Sequence, residues 1–259
     1  MEKNKVYFCD VMDFFANLED ESVDLAVIDP PYNMKKGEWD KFGNDEEYFK
    51  FTFGWLNALI PKLKSTASVY LFNTPYNSAI ILKFLSERNL LFRNWITWYK
   101  KDGFSATKKR YVSTQETILF YSKSAEYIFN YDDVRLPYDS TDRIKHAAKK
   151  GILKNGKRWF PNENGKLCND VWEITSQRHK EKVHGKVTAP LHPTVKPYEM
   201  IERMVKASSN PGDTVLDLFS GSGMTSIVSR ALGRNFVGCE NNPEYIKLIE
   251  EVGIEIGRL

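Results

Sequence analysis

Cysteine is scarce: Cys9, Cys168 and Cys239 are the three in 259 residues, far apart and in no CxxC pair. That excludes a disulfide framework and a structural zinc site built on paired cysteines. No cluster of histidine, cysteine and carboxylate falls at ligand spacing, so no metal is expected. No apolar run approaches the roughly eighteen residues of a membrane span, and the opening MEKNKVYFCD lacks a signal-peptide pattern. No internal repeat or low-complexity tract interrupts the chain. What is present, 42% hydrophobic and 14% aromatic residues, suffices for a sizeable core and excludes wholesale disorder. The expectation is one cytoplasmic domain over 1–259, with no membrane partner.

The net charge of +3 hides an uneven distribution. From Arg143 to Lys186 there are twelve Lys/Arg against four Asp/Glu, a local +8 that leaves −5 for the rest. A basic middle in an acidic chain points to a polyanionic partner.

Hydrophobic patterning places regular elements at both ends. Val6–Cys9 and the continuous apolar run Val23–Ile28 read as strands, the second buried on both faces of a parallel sheet, with a helix over Val11–Leu18 between them. Helices are predicted at Tyr48–Leu59 and Ser78–Leu85, and β-segments at Val69–Phe72, Trp95–Tyr99 and Thr117–Tyr121. From about Tyr131 to Val187 periodicity fades, and this stretch reads as an irregular insertion with a few short elements. Regularity returns with a helix after Pro197, a strand Thr214–Leu218, a helix Met224–Leu232, a strand Asn235–Cys239 and a helix from Pro243 to about Val252. Strands alternating with helices predict a three-layer α/β architecture on a mostly parallel sheet.

Two short motifs carry chemistry. DLFSGSG, Asp217–Gly223, lies between a strand and a helix, where glycines admit a ligand close to the backbone and the helix start offers unpaired N–H groups. Glu240 follows at the tip of the next strand, the place where ribose hydroxyls of a nucleoside cofactor are held. The unit does not choose between NAD and other adenosine-bearing cofactors, although Ser226, standing where GxGxxG has its third glycine, counts against NAD. The second motif, Asp29-Pro30-Pro31-Tyr32, ends a buried strand. The prolines stiffen the turn and hold a carboxylate and a carbonyl, both acceptors, beside an aromatic ring. Such an arrangement suits a planar substrate bearing an amino group.

Together the motifs resemble those of the amino-group DNA methyltransferases that use S-adenosylmethionine, in the β-class order: catalytic tetrapeptide first, target recognition in the middle, cofactor glycines last. His192–Pro197 (HPTVKP) and Asn169–Ile174 (NDVWEI) extend the resemblance. Leu218 and Met224-Thr225-Ser226 depart from the family's usual residues. The resemblance implies a Rossmann-like methyltransferase fold with a target-recognition insertion at 131–187. It implies that Asp29 and the Pro30 carbonyl accept from the target amine, with Pro31 stiffening the turn and Tyr32 stacking on an extruded base. Asp217, Phe219, Gly221, Gly223 and Thr225 would line the cofactor, Asp29 meeting it from the catalytic side. Glu240, with Asn241 beside it, would hold the ribose, and Cys9 and Asp10 would lie at the adenine. His192, Thr194 and Lys196 would close over the methionine moiety, where a lysine can pair with its carboxylate. DNA contacts are expected from Lys100, Lys101, Lys108, Lys109 and Arg110 in a mobile loop, and from Arg143, Lys149, Lys150, Lys157, Arg158, Arg178 and Lys180 in the insertion.

The implied activity is methyl transfer to adenine N6 in double-stranded DNA within a bacterial restriction–modification system. The implied partners are a cognate restriction endonuclease and a second copy of the chain. Cytosine N4, or RNA, is the alternative target; an initial Asp favours adenine because cytosine-modifying relatives more often begin with Ser. A nicotinamide oxidoreductase would leave Asp29–Tyr32 and the basic middle unexplained. A non-catalytic DNA-binding module would need neither Asp29 nor the glycines.

Overall fold

The computed structural model describes residues 1–100, 108–176, 182–183, 186–187 and 195–259. β1 (Lys5–Phe8) leads through α1 (Val11–Asn17) into β2 (Val23–Ile28). Asp10 starts α1 by accepting the Met12 N–H at 2.8 Å, as an N-cap does. Every residue of β2 is buried. Ala26 and Ile28 pack into one core and Leu25 and Val27 into another, which is why the strand reads as an unbroken apolar run. α2 (Asp45–Lys62), capped by Asn44, is longer than the predicted Tyr48–Leu59 at both ends. β3 (Leu63–Asn73), α3 (Pro75–Leu85), β4 (Leu91–Tyr99) and β5 (Gln115–Ser122) follow.

The stretch expected to be irregular contains a ten-residue helix, α4 (Thr141–Lys150), and a hairpin of β6 (Ile152–Lys154) and β7 (Lys157–Trp159). The apolar stripe of α4 is short, Ile144, Ala147 and Ala148 at helical spacing among cations, and only Ala147 is buried. β8 (Val171–Glu173) pairs parallel with β4 and so extends the main sheet. β9 (Lys182–Val183) and β10 (Lys186–Val187) form a short antiparallel ladder. The chain closes with α5 (Tyr198–Ser208), β11 (Thr214–Asp217), α6 (Met224–Ala231), β12 (Asn235–Glu240), α7 (Pro243–Glu251) and β13 (Glu255–Gly257).

Among the described residues nine strands form one sheet in the order β13-β1-β12-β11-β2-β3-β5-β4-β8. All neighbours are parallel except β5, which runs antiparallel to both β3 and β4. On one face, Phe14 of α1, Trp55 and Leu56 of α2 and Ile81 of α3 pack against Ile28, Leu71 and Leu216. On the other, Met200 and Met204 of α5 and Val228 of α6 pack against Leu25, Val27 and Val215.

The site is placed by connectivity. From β11 the chain crosses to β12, towards the β13 edge; from β2 it crosses to β3, towards the β8 edge. The adjacent strands β11 and β2 therefore diverge at their carboxyl ends and leave a crevice, the position where open α/β sheets bind ligands. Asp217 ends β11 and Asp29 follows β2, so both motifs meet there.

Candidate active site

Asp29 stands where three cavities meet. One of about 230 Å³ is lined by Cys9, Asp10, Trp39, Phe219, Glu240 and Asn241 as well as Asp29 and Pro31. A second brings Asp29 together with Lys196, Asp217, Phe219, Gly221 and Thr225. A third is bounded by Asp29, Pro30, Tyr32, Lys36, Trp39 and Lys196. The structure thus gathers residues from the first strand end, the tetrapeptide, the glycine turn and the tip of β12 around one carboxylate.

Both oxygens of Asp29 are engaged. Tyr32 donates its hydroxyl to Oδ1 at 2.6 Å, and Lys196 donates to Oδ2 at 2.6 Å. Burial, reinforced by Asp29 and Glu116, pushes the Tyr32 phenol well above its ordinary range, so it stays a donor. Lys196 is 7% exposed, a costly place for a cation. Burial alone would lower its pKa, but Asp29 and Glu116, the latter at 3.5 Å, reverse that and raise it. Its ammonium also lies over the rings of Phe72, Tyr32 and Trp98, at 5.1–5.9 Å from their centroids. The lysine expected at a cofactor carboxylate is thus paired with the catalytic motif and lines both neighbouring cavities.

Glu116 is a site residue that sequence reasoning missed. It is the second residue of β5, whose antiparallel register sets Thr117 opposite Asn73 at the end of β3, so a strand beginning lands among strand ends. Burial pushes its carboxyl up, but Lys196, Lys100 and Lys36 outweigh burial and hold it down at about 2. Lys100, expected on DNA, donates to Glu116 at 2.5 Å and belongs to this network. Lys36, Trp39 and Asp40 were missed as well; nothing in a polar loop marks them.

The glycine turn is tied to β12. Glu240 Oε2 accepts the Gly221 N–H at 2.8 Å, while Oε1 accepts those of Asn241 and Asn242. Burial raises its pKa against those three amides. Gly223 begins α6 at φ 75°, a left-handed conformation that suits glycine. Gly238 is needed for close approach, since a Cβ there would lie 2.6 Å from Ser220 Oγ and 2.7 Å from the Asp217 carbonyl. Asp217 is buried and accepts the Phe219 N–H at 3.2 Å. Burial, with Asp29 and Glu240 nearby, pushes it up to about 7.

Lys101, Arg178, Lys180, His192 and Thr194 lie outside the described residues, as does most of the expected mobile loop. Lys108, Lys109 and Arg110 are exposed, as are Arg143, Lys149 and Lys150 on α4 and Lys157 and Arg158 on the hairpin. No group of three metal-ligating side chains occurs among the described residues, and none of their helices is long and apolar enough to cross a membrane.

Comparison with known proteins fits this geometry. Residues 23–251 match the N6/N4 methyltransferase family, described as DNA methylase. The Type II methyltransferase M1.MboII of Moraxella bovis is 54% identical over 95% of both chains. The chain belongs to the N6/N4 DNA methylase family. A second relative, the Type II methyltransferase M.HpaI of Haemophilus parainfluenzae, is 32% identical over 91% of this chain and 69% of its own. Among solved structures, the M1.HpyAVI–SAM complex superposes with a TM-score of 0.61 at 24% identity, covering 96% and 98% of the two chains. PvuII DNA methyltransferase, cytosine-N4-specific, gives 0.71 at 15% identity, covering 98% and 89%. These likenesses show the Rossmann-like methyltransferase fold. As a DNA methylase the protein is an enzyme that acts on DNA with S-adenosylmethionine as methyl donor. The residues present fit that group: a mostly apolar cavity edged by acidic Asp10 and Glu240 shares Asp29 and Phe219 with a second cavity lined by buried Asp217.

Proposed function

We propose that this DNA methylase transfers a methyl group to the exocyclic N6 of adenine in an extruded base, using Asp29 at the junction of the three cavities. The placement of Asp29 carries this reading. A carboxylate between a cavity lined by Cys9, Asp10, Glu240 and Asn241 and a cavity bounded by Tyr32 can face a donor on one side and a planar amine on the other.

The cofactor supplies a methyl group already activated as a sulfonium. Asp29 and the Pro30 carbonyl accept the amine's N–H groups, draw the nitrogen towards tetrahedral geometry and localise its lone pair. Asp29 then faces the positive charge that develops on nitrogen and takes the departing proton. Tyr32, anchored through its hydroxyl, offers a ring fixed in place for the base. Lys196 lines both sides of Asp29, so pairing with the cofactor's carboxylate would release Asp29 Oδ2 for the amine. Glu240, Asn241, Cys9 and Asp10 would hold the nucleoside end, and Asp217 and Thr225 the methionine end.

A pH dependence follows from Asp217. As pH falls through about 7 it gains a proton, and the negative charge that would meet the cofactor's α-ammonium disappears. Cofactor affinity should therefore rise from about pH 6 to about pH 8, by up to about tenfold per unit at the steepest, and level off above. Titrations across this range check it; Asp217→Asn should bind more weakly at high pH and flatten the profile.

Double-stranded DNA is the substrate, with Lys108–Arg110, α4 and the β6–β7 hairpin facing phosphate. The Type II names of the relatives, with their bacterial sources, support an enzyme working beside a restriction endonuclease of the same site. The deciding experiment is transfer of label from S-adenosylmethionine to unmethylated DNA, followed by digestion to nucleosides. Label in 6-methyladenine is expected. Label in 4-methylcytosine would keep the machinery and overturn the choice of base.

A further inference from the structure

The chain after the tetrapeptide forms no strand, and its one turn of helix spans Glu38–Asp40, yet its backbone is closely tied down. Asp40, 1% exposed, is the reason. Its Oδ1 accepts the N–H groups of Tyr32 at 2.7 Å and Asn33 at 2.8 Å. Its Oδ2 accepts those of Met34 at 3.0 Å and Lys36 at 3.1 Å. Its own carbonyl accepts the Lys35 N–H at 3.1 Å. Five successive amides converge on one residue.

Such convergence needs alternating backbone hands, and Asn33 and Lys35 both sit at φ 59°. That conformation is unfavourable for residues with a Cβ, and an anion held by the amide concavity compensates. The effect reaches the site at two points. Tyr32 is pinned at its N–H by Asp40 and at its carbonyl by Asn77 Nδ2, 2.9 Å away. Trp39, one residue before Asp40, borders both the cofactor cavity and the cavity beside Tyr32. Its indole crosses Gly37 so closely that a Cβ there would come within 2.6 Å of Nε1.

We infer that Asp40 is a positioning residue of the base subsite: by gathering these amides it sets Tyr32 and Trp39 as two walls for the target base. Asp40 borders the cavity beside Tyr32 as well, but both its oxygens are taken by backbone N–H groups, so it acts through Tyr32 and Trp39. The inference rests on the methyl-transfer reading and adds the element that shapes its base-binding side. Asparagine at this position keeps the volume but turns one oxygen into an NH2 that faces two N–H donors, so two charge-assisted hydrogen bonds become repulsive contacts.

The test uses Asp40→Asn and a duplex carrying 2-aminopurine at the target adenine of the mapped recognition site. In the wild type the fluorescence of the probe reports extrusion and its stacking in the pocket. In the variant this signal should be largely lost and kcat should fall about a hundredfold, while Kd for S-adenosylmethionine stays within about threefold. Trp39→Leu, which removes one wall and leaves the amide cluster intact, should also lose the signal. Wild-type signal and kcat in Asp40→Asn would overturn the inference. So would loss of cofactor binding together with the signal, which would make Asp40 a general structural residue. A wild-type protein that labels no DNA would instead strike the reading of function beneath it.

Discussion

Asp29→Asn should lower the rate of methyl transfer to DNA by about a thousandfold while cofactor binding changes little. The expectation rests on what an amide does at this junction. The carboxylate presents two accepting oxygens, one held by Tyr32 and one by Lys196. Asparagine keeps one acceptor, removes the charge that faces the developing cation and turns an N–H donor towards either Tyr32 or Lys196, the latter being the side the amine would take. Asp29→Ala should be at least as inactive but is the less informative variant. It leaves buried Lys196, among the described residues, with only Glu116, at 3.5 Å, as counter-charge, and stranding a buried cation costs about 3–5 kcal/mol. Single-turnover methylation with labelled cofactor, beside equilibrium titration of the cofactor, separates the two effects. Turnover near the wild-type rate in Asp29→Asn would remove Asp29 from its role. Equal loss of binding and turnover would make it a cofactor ligand alone.

What could be read from the sequence was local. The strand at Val23–Ile28 showed itself because both its faces are buried, and DPPY because two prolines must end a strand. Glu240 was legible from its spacing to the glycines, since both lie within one strand–helix–strand unit. Glu116 was not, because its place depends on an antiparallel register formed across a connection outside the unit. Asp40 was hidden for a similar reason: a lone acid in the polar string KKGEWDKF acquires its role only when the loop folds back on it. Lys196 stands out in the sequence as a candidate for the cofactor's carboxylate, but the sequence could not show that Asp29 and Glu116 would hold it. Helix α4 buries a single alanine, so its only periodic trace is the short stripe Ile144, Ala147 and Ala148 among cations, and its charge was the readable feature.

That charge gives the second large effect. Affinity for double-stranded DNA should fall by about a thousandfold or more as salt rises from about 50 mM to about 200 mM. Between Thr141 and Trp159 stand seven cations and one acid, and the cations are exposed. Arg143, Lys145, Lys149 and Lys150 lie on α4, and Lys154, Lys157 and Arg158 on the hairpin, which turns at Asn155-Gly156 with both φ positive. The Arg158 guanidinium donates to the Lys150 carbonyl and joins the two elements into one surface. Each phosphate neutralised releases about 0.9 counterion, so Lys149→Gln with Lys150→Gln should reduce the salt slope by about two if both lysines contact phosphate. Exposed Leu153, Trp159 and Phe160 beside these cations would also suit a protein partner. The two cases diverge in the slope, because burial of apolar surface is little screened while phosphate contact is screened steeply. A flat response would contradict a DNA-facing surface here. A steep response untouched by the double variant would move the phosphate contacts to Lys108–Arg110 and leave the hairpin free for another partner.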